Sequence, residues 1–271
     1  GAGIAPSGGE KVDFEIIDFH THPFFEDRQN ICPHREYCGM SAEGTRRTME
    51  GLGISKICGS VIRDFRSGIP TTWQALRQAN DDALRLRDMY GDFYIPGFHV
   101  HPDYVAESCA EIERMAGLGV RLIGELVPYA HGWSDYSCAG FDDILDCAQE
   151  HDMVVSFHSM DDDQMDSMVK KHPNTTLVAA HPGEYREFMR HLRRMKLSRN
   201  YFLDLSGGGL YRYGMLRRGV DECGAERFLF GTDYPICGPA TYVGGVAQDD
   251  LLTPAEKRLI LSGNARRLLN L

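Results

Sequence analysis

The stretch Ile16-Ile17-Asp18-Phe19-His20-Thr21-His22-Pro23 is an apolar run that ends in two histidines. It predicts a buried β-strand, in which successive side chains alternate between faces, so that His20 and His22 point the same way. Two imidazoles at the end of a buried strand are costly unless their ring nitrogens have partners. A divalent metal ion fits that need, because neutral imidazole is a common zinc ligand. The first strand therefore predicts one corner of a metal site.

Seven further apolar runs follow and alternate with amphipathic stretches, which is typical of parallel strands covered by helices. The predicted strands are 16–21, 55–62, 94–100, 120–127, 153–157, 176–180, 201–205 and 227–231, and the predicted helices are 42–51, 72–90, 104–117, 142–151, 163–172, 185–197, 211–223 and 254–269. Eight strand–helix units predict an α/β fold, a (β/α)8 TIM barrel forming a single domain over residues 13–271 after a flexible N-terminus, residues 1–12. A doubly wound open sheet is the alternative, but no Gly-x-Gly-x-x-Gly follows the first strand.

The composition narrows the classes of partner. With 29 Lys and Arg against 39 Asp and Glu, the net charge is −10, which disfavours nucleic acid as the main ligand. No apolar run is long enough to span a membrane, so we expect a small-molecule substrate and no membrane partner; a homo-oligomer is compatible with the sequence. The eight cysteines show no C-x-x-C spacing and are interpreted as reduced thiols of a cytoplasmic protein.

Potential metal ligands close five of the eight predicted strands. They are His20, His22, Glu125, His158, His181 and Asp233. Packing alone does not explain so many polar strand ends, and in barrels the active site lies where the strands end. Imidazoles and carboxylates predict one or two Zn²⁺ ions, with Mn²⁺ or Fe²⁺ as alternatives. A bound metal lowers the pKa of water, and Asp233 or His181 would then carry the proton as catalytic residues.

At these positions the chain resembles the amidohydrolase superfamily, and especially its amidohydrolase-related branch. The resemblance covers nearly the whole chain, and its motifs are specific only in combination. They are Asp18-Phe19-His20-Thr21-His22, His158, His181, Phe230-Gly231-Thr232-Asp233-Tyr234-Pro235 and Gly263-Asn264-Ala265-Arg266-Arg267-Leu268-Leu269. The resemblance implies a (β/α)8 barrel with a catalytic divalent metal, in a family that includes hydrolases of C–N, C–O and P–O bonds and non-oxidative decarboxylases.

Glu125 distinguishes between two metal-binding patterns that occur in the proteins this chain resembles. In the decarboxylase-type members the first-strand pair, the strand-five histidine and the strand-eight aspartate hold one metal, and the strand-six histidine acts beside it. A strand-four carboxylate instead resembles the binuclear hydrolases, and Gly124-Glu125 also resembles TatD-type nucleases. This favours two metals bridged by Glu125, one held by His20, His22 and Asp233 and the other by His158 and His181. A salt-bridged glutamate at the barrel mouth is the structural alternative.

The leading hypothesis is therefore a metal-dependent hydrolase of a small anionic amide, lactone or ester. The alternatives are a mononuclear decarboxylase, a TatD-type phosphodiesterase or nuclease, and a non-catalytic ligand-binding barrel. Polar and aromatic residues after the other strands are candidates for substrate binding. They are Arg63, His99, His101, Tyr129 and Arg212, and the two arginines would grip an anionic group.

Overall fold

A computed structural model describes residues 13–62 and 70–271. Within these ranges, eight parallel strands follow one another around a barrel in the order of the sequence. The strands are β1 (Ile16–Thr21), β2 (Ile54–Ser60), β3 (Tyr94–Phe98), β4 (Leu122–Leu126), β5 (Val154–His158), β6 (Thr176–Ala180), β7 (Tyr201–Asp204) and β8 (Phe228–Leu229). The prediction of a TIM barrel is confirmed. The predicted flexible N-terminus, residues 1–12, and the candidate Arg63 lie outside the described residues.

Helices connect successive strands along the outside of the barrel. They are α1 (Ala42–Gly51), α2 (Trp73–Tyr90), α3 (Val105–Gly117), α4 (Ala139–Glu150), α5 (Asp162–Lys171), α6 (Tyr185–Leu197), α7 (Met215–Cys223), α8 (Pro239–Ala247), α9 (Pro254–Arg258) and α10 (Asn264–Leu269). The sequence did not predict α8, and it predicted one helix where a π-helical turn, Leu259–Gly263, separates α9 from α10. The helix α7 begins later than predicted because Gly214 precedes it in a left-handed conformation, with φ 82°.

Hydrogen bonds between β1 and the segment after β8 close the barrel. The amide of Phe19 donates to the carbonyl of Phe230 at 2.9 Å, and the amide of Asp233 donates to the carbonyl of His20 at 2.8 Å. The buried carboxylate of Asp18 accepts from both the amide and the hydroxyl of Thr232, at 3.0 and 2.5 Å. This closure joins the first and last strands and places their C-terminal ends side by side.

Two apolar clusters stabilise this arrangement. One fills the space between the sheet and the helices, and the other fills the inside of the barrel. The interior cluster takes side chains from nearly every strand, among them Ile17, Phe19, Cys58, Leu122, Val154, Val178, Phe202 and Leu229. Layers of side chains inside a barrel make it a packed core and not a pore. The interior is therefore closed below the C-terminal strand ends, where a site can form.

The interpretation of all cysteines as reduced thiols is wrong for one pair. Cys109 of α3 and Cys147 of α4 form a disulfide, with their Cα atoms 5.8 Å apart. The two helices pack side by side, which brings together cysteines 38 residues apart in sequence. No short-range spacing announces such a pair. The cysteines that remain free are Cys32, Cys38, Cys58, Cys138, Cys223 and Cys237.

None of the helices within the described ranges is both long enough and apolar enough to cross a membrane.

We expect acid to destabilise the fold through His191 of α6. Its ring is buried between the hydroxyl of Tyr201 and the carbonyl of His181, and burial together with the nearby Arg194 lowers its pKa to about 3. The unfolded chain, with an ordinary histidine pKa, takes up this proton at higher pH than the folded protein does. Stability should therefore fall between pH 7 and pH 5, by on the order of 2 kcal/mol from this group.

Urea unfolding of the wild type and of His191→Gln at both pH values measures this effect. The free energy of unfolding should depend less on pH in the variant. The exposed His34 provides the matched control, His34→Gln, which should keep the wild-type dependence. Equal pH dependence in wild type and His191→Gln would contradict the assignment.

Candidate active site

Four side chains converge at the C-terminal end of the barrel, from β1, β4 and the segment after β8. The Nε2 atom of His20 lies 3.1 Å from Glu125 Oε1 and 3.1 Å from Asp233 Oδ1. The Nε2 atom of His22 lies 3.1 Å from the same Glu125 oxygen and 3.6 Å from Asp233 Oδ1. All four ligand atoms lie close enough together to hold a metal ion. We call this group the first cluster.

A second cluster shares Glu125 with the first. Its other carboxylate oxygen, Oε2, lies 3.4 Å from His158 Nδ1 and 3.6 Å from His181 Nε2. These three residues also form a group able to hold a metal ion. Asp233 reaches towards both clusters, with Oδ1 facing the first and Oδ2 4.0 Å from His181 Nε2. The structure thus brings all six ligand candidates together.

Irregular strand pairing accompanies the ligand candidates of β1 and β4. The register of β1 against β2 shifts between Asp18 and Thr21, the interval that contains His20. The register of β4 against β5 shifts between Ile123 and Leu126, around Glu125. Gly124 permits the second shift, because its φ of 94° is left-handed and a Cβ there would collide with the carbonyl oxygen of Ser156.

Oxygen acceptors next to Nδ1 of three histidine rings determine which ring nitrogen carries the hydrogen. The Nδ1 atom of His20 lies 2.9 Å from Asp204 Oδ2, that of His22 lies 3.1 Å from the carbonyl of Ser60, and that of His181 lies 2.9 Å from the carbonyl of Ser206. Carboxylate and carbonyl oxygens only accept, so each Nδ1 carries the hydrogen. With the hydrogen on Nδ1, it is Nε2 that faces the clusters, and its lone pair binds a metal when the ring is neutral.

Asp204 and Ser206 were not identified from the sequence. Asp204 ends β7 and is fully buried, and Ser206 donates both its amide and its hydroxyl to Asp204 Oδ1. The signal was present, because Asp204 closes an apolar run just as the six ligand candidates do. Its role differs, because the side chain contacts Nδ1 of His20, on the side of the ring away from the clusters, and orients the ring.

Two ligand candidates adopt a backbone conformation that is rare outside glycine. The φ angle is 75° at His181 and 67° at Asp233. Left-handed conformations at bulky residues cost free energy and are concentrated where function requires a particular side-chain direction. Both residues lie where a strand has just ended, and this conformation directs their side chains over the barrel interior.

The two clusters carry more negative than positive charge. Burial opposes charging of His20, but the carboxylates of Glu125, Asp204 and Asp233 outweigh it and raise the pKa of His20 well above its usual value. Burial also opposes ionisation of Glu125, but His20, His158 and His22 hold the pKa of that carboxyl well below its usual value. The centre of the site is therefore a region of negative potential.

A divalent metal fits these residues. Glu125 Oε2 is buried, and no group among the described residues donates a hydrogen bond to it. The Nε2 atoms of His20 and His22 lie 3.2 Å apart and face each other and two carboxylate oxygens. Lone pairs that converge without a donor are satisfied by a cation, and imidazole with carboxylate is a donor set for Zn²⁺ or Mn²⁺.

The structure places the predicted substrate-binding residues in different surroundings. His99 and His101 are buried, and each donates from Nε2 at 2.8 Å, to the carbonyls of Val61 and His131 respectively. Burial lowers the pKa of His99 to about 4, so its ring is neutral. These contacts fix both rings in the barrel wall, and His99 is close enough to His22 and Glu125 to interact with them electrostatically.

The two remaining candidates lie at the mouth of the barrel. Tyr129 is 59% exposed, and its ring meets that of His158 edge-on, with centroids 5.3 Å apart. Arg212 is also exposed, but its guanidinium forms an ion pair with Glu184 and stacks on Tyr211. Of the candidates within the described residues, Tyr129 is the one in contact with a potential metal ligand.

Comparisons with known proteins agree with this architecture. A family model described as amidohydrolase matches residues 17–271. No curated protein matches the chain.

Solved structures share the fold at low identity. 2,6-Dihydroxybenzoate decarboxylase from Rhizobium is 15% identical with a TM-score of 0.74, over 95% of this chain and 99% of that one. A dihydroxybenzoic acid decarboxylase from Polaromonas, solved with manganese and the inhibitor 2-nitroresorcinol, is 15% identical with a TM-score of 0.70, over 95% and 97%. An uncharacterized TIM-barrel protein from Bordetella bronchiseptica is 20% identical with a TM-score of 0.72, over 95% and 99%.

We expect Asp204→Asn to weaken metal binding without unfolding the barrel. The amide can still contact His20 Nδ1, but the negative charge that orients the ring and strengthens it as a ligand is lost. Replacing such a partner typically costs about 10- to 100-fold in metal affinity. Competition with a chromophoric chelator measures the change, and Asp163→Asn, at an exposed position of α5, is the matched control. Unchanged affinity in Asp204→Asn would contradict the role given to Asp204.

Proposed function

The chain belongs to the amidohydrolase family, and on that basis we propose that it is a hydrolase with a binuclear metal site that cleaves a small amide, lactone or ester. The position of Glu125 carries the proposal. One oxygen of its carboxylate faces the first cluster and the other faces the second, as a ligand shared by two ions would. A site for a single ion could use one of these oxygens, but it would leave the other buried beside His158 and His181 without a cation.

The six ligand candidates divide naturally between two ions. His20, His22 and Asp233 would hold one, His158 and His181 would hold the other, and Glu125 would bridge them. Zn²⁺ is the proposed metal, and Mn²⁺ is the alternative because the Polaromonas decarboxylase carries manganese. Divalent ions held here supply Lewis acidity towards a carbonyl oxygen and lower the pKa of water to near neutrality.

The residues of the chain do the remaining work. Asp233 keeps a partly exposed carboxylate, with a side chain 13% exposed, above the clusters. It can take a proton from water at the site and return it to the leaving group, the role of a general acid–base. Asp204 and Ser60 orient the rings of His20 and His22, so that the donor set is formed before substrate arrives.

The mouth of the barrel provides a contact for the substrate. The ring of Tyr129, set edge-on against His158, offers an exposed aromatic face next to the second cluster. Arg212 is paired with Glu184, so the proposed substrate does not require an anionic group to bind this arginine. An apolar or aromatic group next to the cleaved bond suits the position of Tyr129 better.

Decarboxylation is the second candidate. Two of the solved structures with this fold are decarboxylases of dihydroxybenzoates, and manganese is bound in one of them. Under this alternative His20, His22, His158 and Asp233 would hold one ion. His181, whose side chain is 17% exposed, would exchange a proton with the substrate carbon.

We expect Glu125→Gln to lower the metal content from two ions per chain to one and to abolish hydrolysis. The amide lacks the charge needed to bridge two cations, so the weaker site should empty. Metal content is measured by elemental analysis, and turnover is measured on a set of lactones, esters, amides and one phosphodiester. Glu184→Gln, at an exposed glutamate of the mouth, is the matched control and should keep both metals and the activity.

Three results would contradict the binuclear hydrolase. They are one ion per wild-type chain, full turnover in Glu125→Gln, and release of CO₂ from aromatic acids without incorporation of oxygen from labelled water. The last result would establish the decarboxylase alternative instead. Turnover of the phosphodiester alone would indicate a phosphodiesterase.

A further inference from the structure

A separate cavity of about 330 Å³ opens at the opposite end of the barrel from the clusters. The starts of β2, β3 and β4 and the end of α10 surround it. The apolar cluster that fills the barrel, with Ile17 and Leu122, lies between this cavity and the metal ligands. The cavity is therefore separate from the candidate active site, and its size lies at the lower end of the range for small-molecule pockets, about 300–1,000 Å³.

Three cationic side chains line this cavity, in a chain whose net charge is −10. Lys56 donates to the carbonyl of Asp92 at 2.7 Å, and Arg87 donates to the carbonyl of Leu118 at 2.9 Å. Arg121 is partly buried, and its Nε–H is buried without a hydrogen-bond partner. Within the described part of the chain, none of these cations forms an ion pair with a carboxylate.

This arrangement is electrostatically incomplete. The lining sets three cations against the carboxylate of Asp92 and the terminal carboxylate of Leu271, which leaves a surplus of one positive charge. No described residue forms a hydrogen bond or an ion pair with the guanidinium of Arg121, so its donors are available to an anion that enters the cavity. Arginine presents several donors in a planar fork that suits phosphate oxygens, and lysine binds phosphate as a point charge.

The rest of the lining is apolar. Ile95 and Pro96 of β3 and Leu269 of α10 contribute to the wall. Burial of an apolar group of a ligand against this surface is favourable. A bare inorganic ion has no apolar surface to bury there. The cavity thus combines a cationic part with an apolar part.

We propose that this cavity binds a phosphate monoester of a small apolar molecule. The phosphoryl group lies among Lys56, Arg87 and Arg121, and the organic part lies against Ile95, Pro96 and Leu269. Arg121 contributes most, because its guanidinium has no partner among the described residues, whereas Lys56 and Arg87 already donate to backbone carbonyls. Binding at this end of the barrel is independent of the reaction at the metal clusters.

The test is calorimetric titration of the full chain with phenyl phosphate, inorganic phosphate and benzoate. We expect phenyl phosphate to bind the wild type most tightly of the three. Loss of one charge-assisted hydrogen bond should weaken it about tenfold or more in Arg121→Gln. Lys170→Gln, at an exposed lysine of α5 far from the cavity, is the matched control and should bind as the wild type does.

A further variant separates the possible outcomes. Lys56→Gln should also weaken binding, and it tests the proposal if Arg121→Gln does not fold. A phosphate held by the metal site instead would bind both variants as it binds the wild type. The proposal is overturned if phenyl phosphate does not bind at millimolar concentration, or if Arg121→Gln and Lys56→Gln bind as the wild type does. It is also overturned if inorganic phosphate or benzoate binds equally well.

Discussion

A buried carboxylate without a hydrogen-bond donor on one of its oxygens is the constraint on which this site depends. Glu125 is almost fully buried, its pKa is held low by three neighbouring imidazoles, and no described group donates to Oε2. Burying a charge in this way is unfavourable unless another charge compensates it. The surrounding rings present lone pairs because their outer nitrogens are already committed to oxygen acceptors. A cation completes the arrangement, and the fold holds its ligands ready.

Much of the fold and of the candidate site could be predicted from the sequence, because the residues at the strand ends indicate both. Apolar runs that end in His, Glu or Asp identify both the barrel and the six ligand candidates, since the C-terminal ends of parallel strands share one face of a barrel. Asp204 follows the same rule and was overlooked, because the residue after an apolar run does not reveal whether its side chain faces a metal or the back of a ligand. That distinction depends on the contact with His20, which no local pattern encodes.

Other features depend on distances that a sequence does not display. The disulfide between Cys109 and Cys147 follows from the packing of two neighbouring helices, and the pairing of Arg212 with Glu184 follows from the meeting of two loops. His99 and His101 come at the end of their strand, as His20 and His22 do. Their rings nevertheless donate to backbone carbonyls of the barrel wall. The register shift in β1 falls at the His20–His22 pair, whereas the paired residues of β3 with its neighbours show no such shift.

The closure of the barrel between β1 and β8 has a consequence for how the protein is made. The first cluster takes ligands from both sides of this seam, and the backbone of His20 is hydrogen-bonded to the backbone of Asp233. During synthesis the histidine pair is made before Asp233, which follows only after more than two hundred further residues. The ligand set is complete only when the last strand has docked, so tight metal retention marks a chain whose barrel has closed.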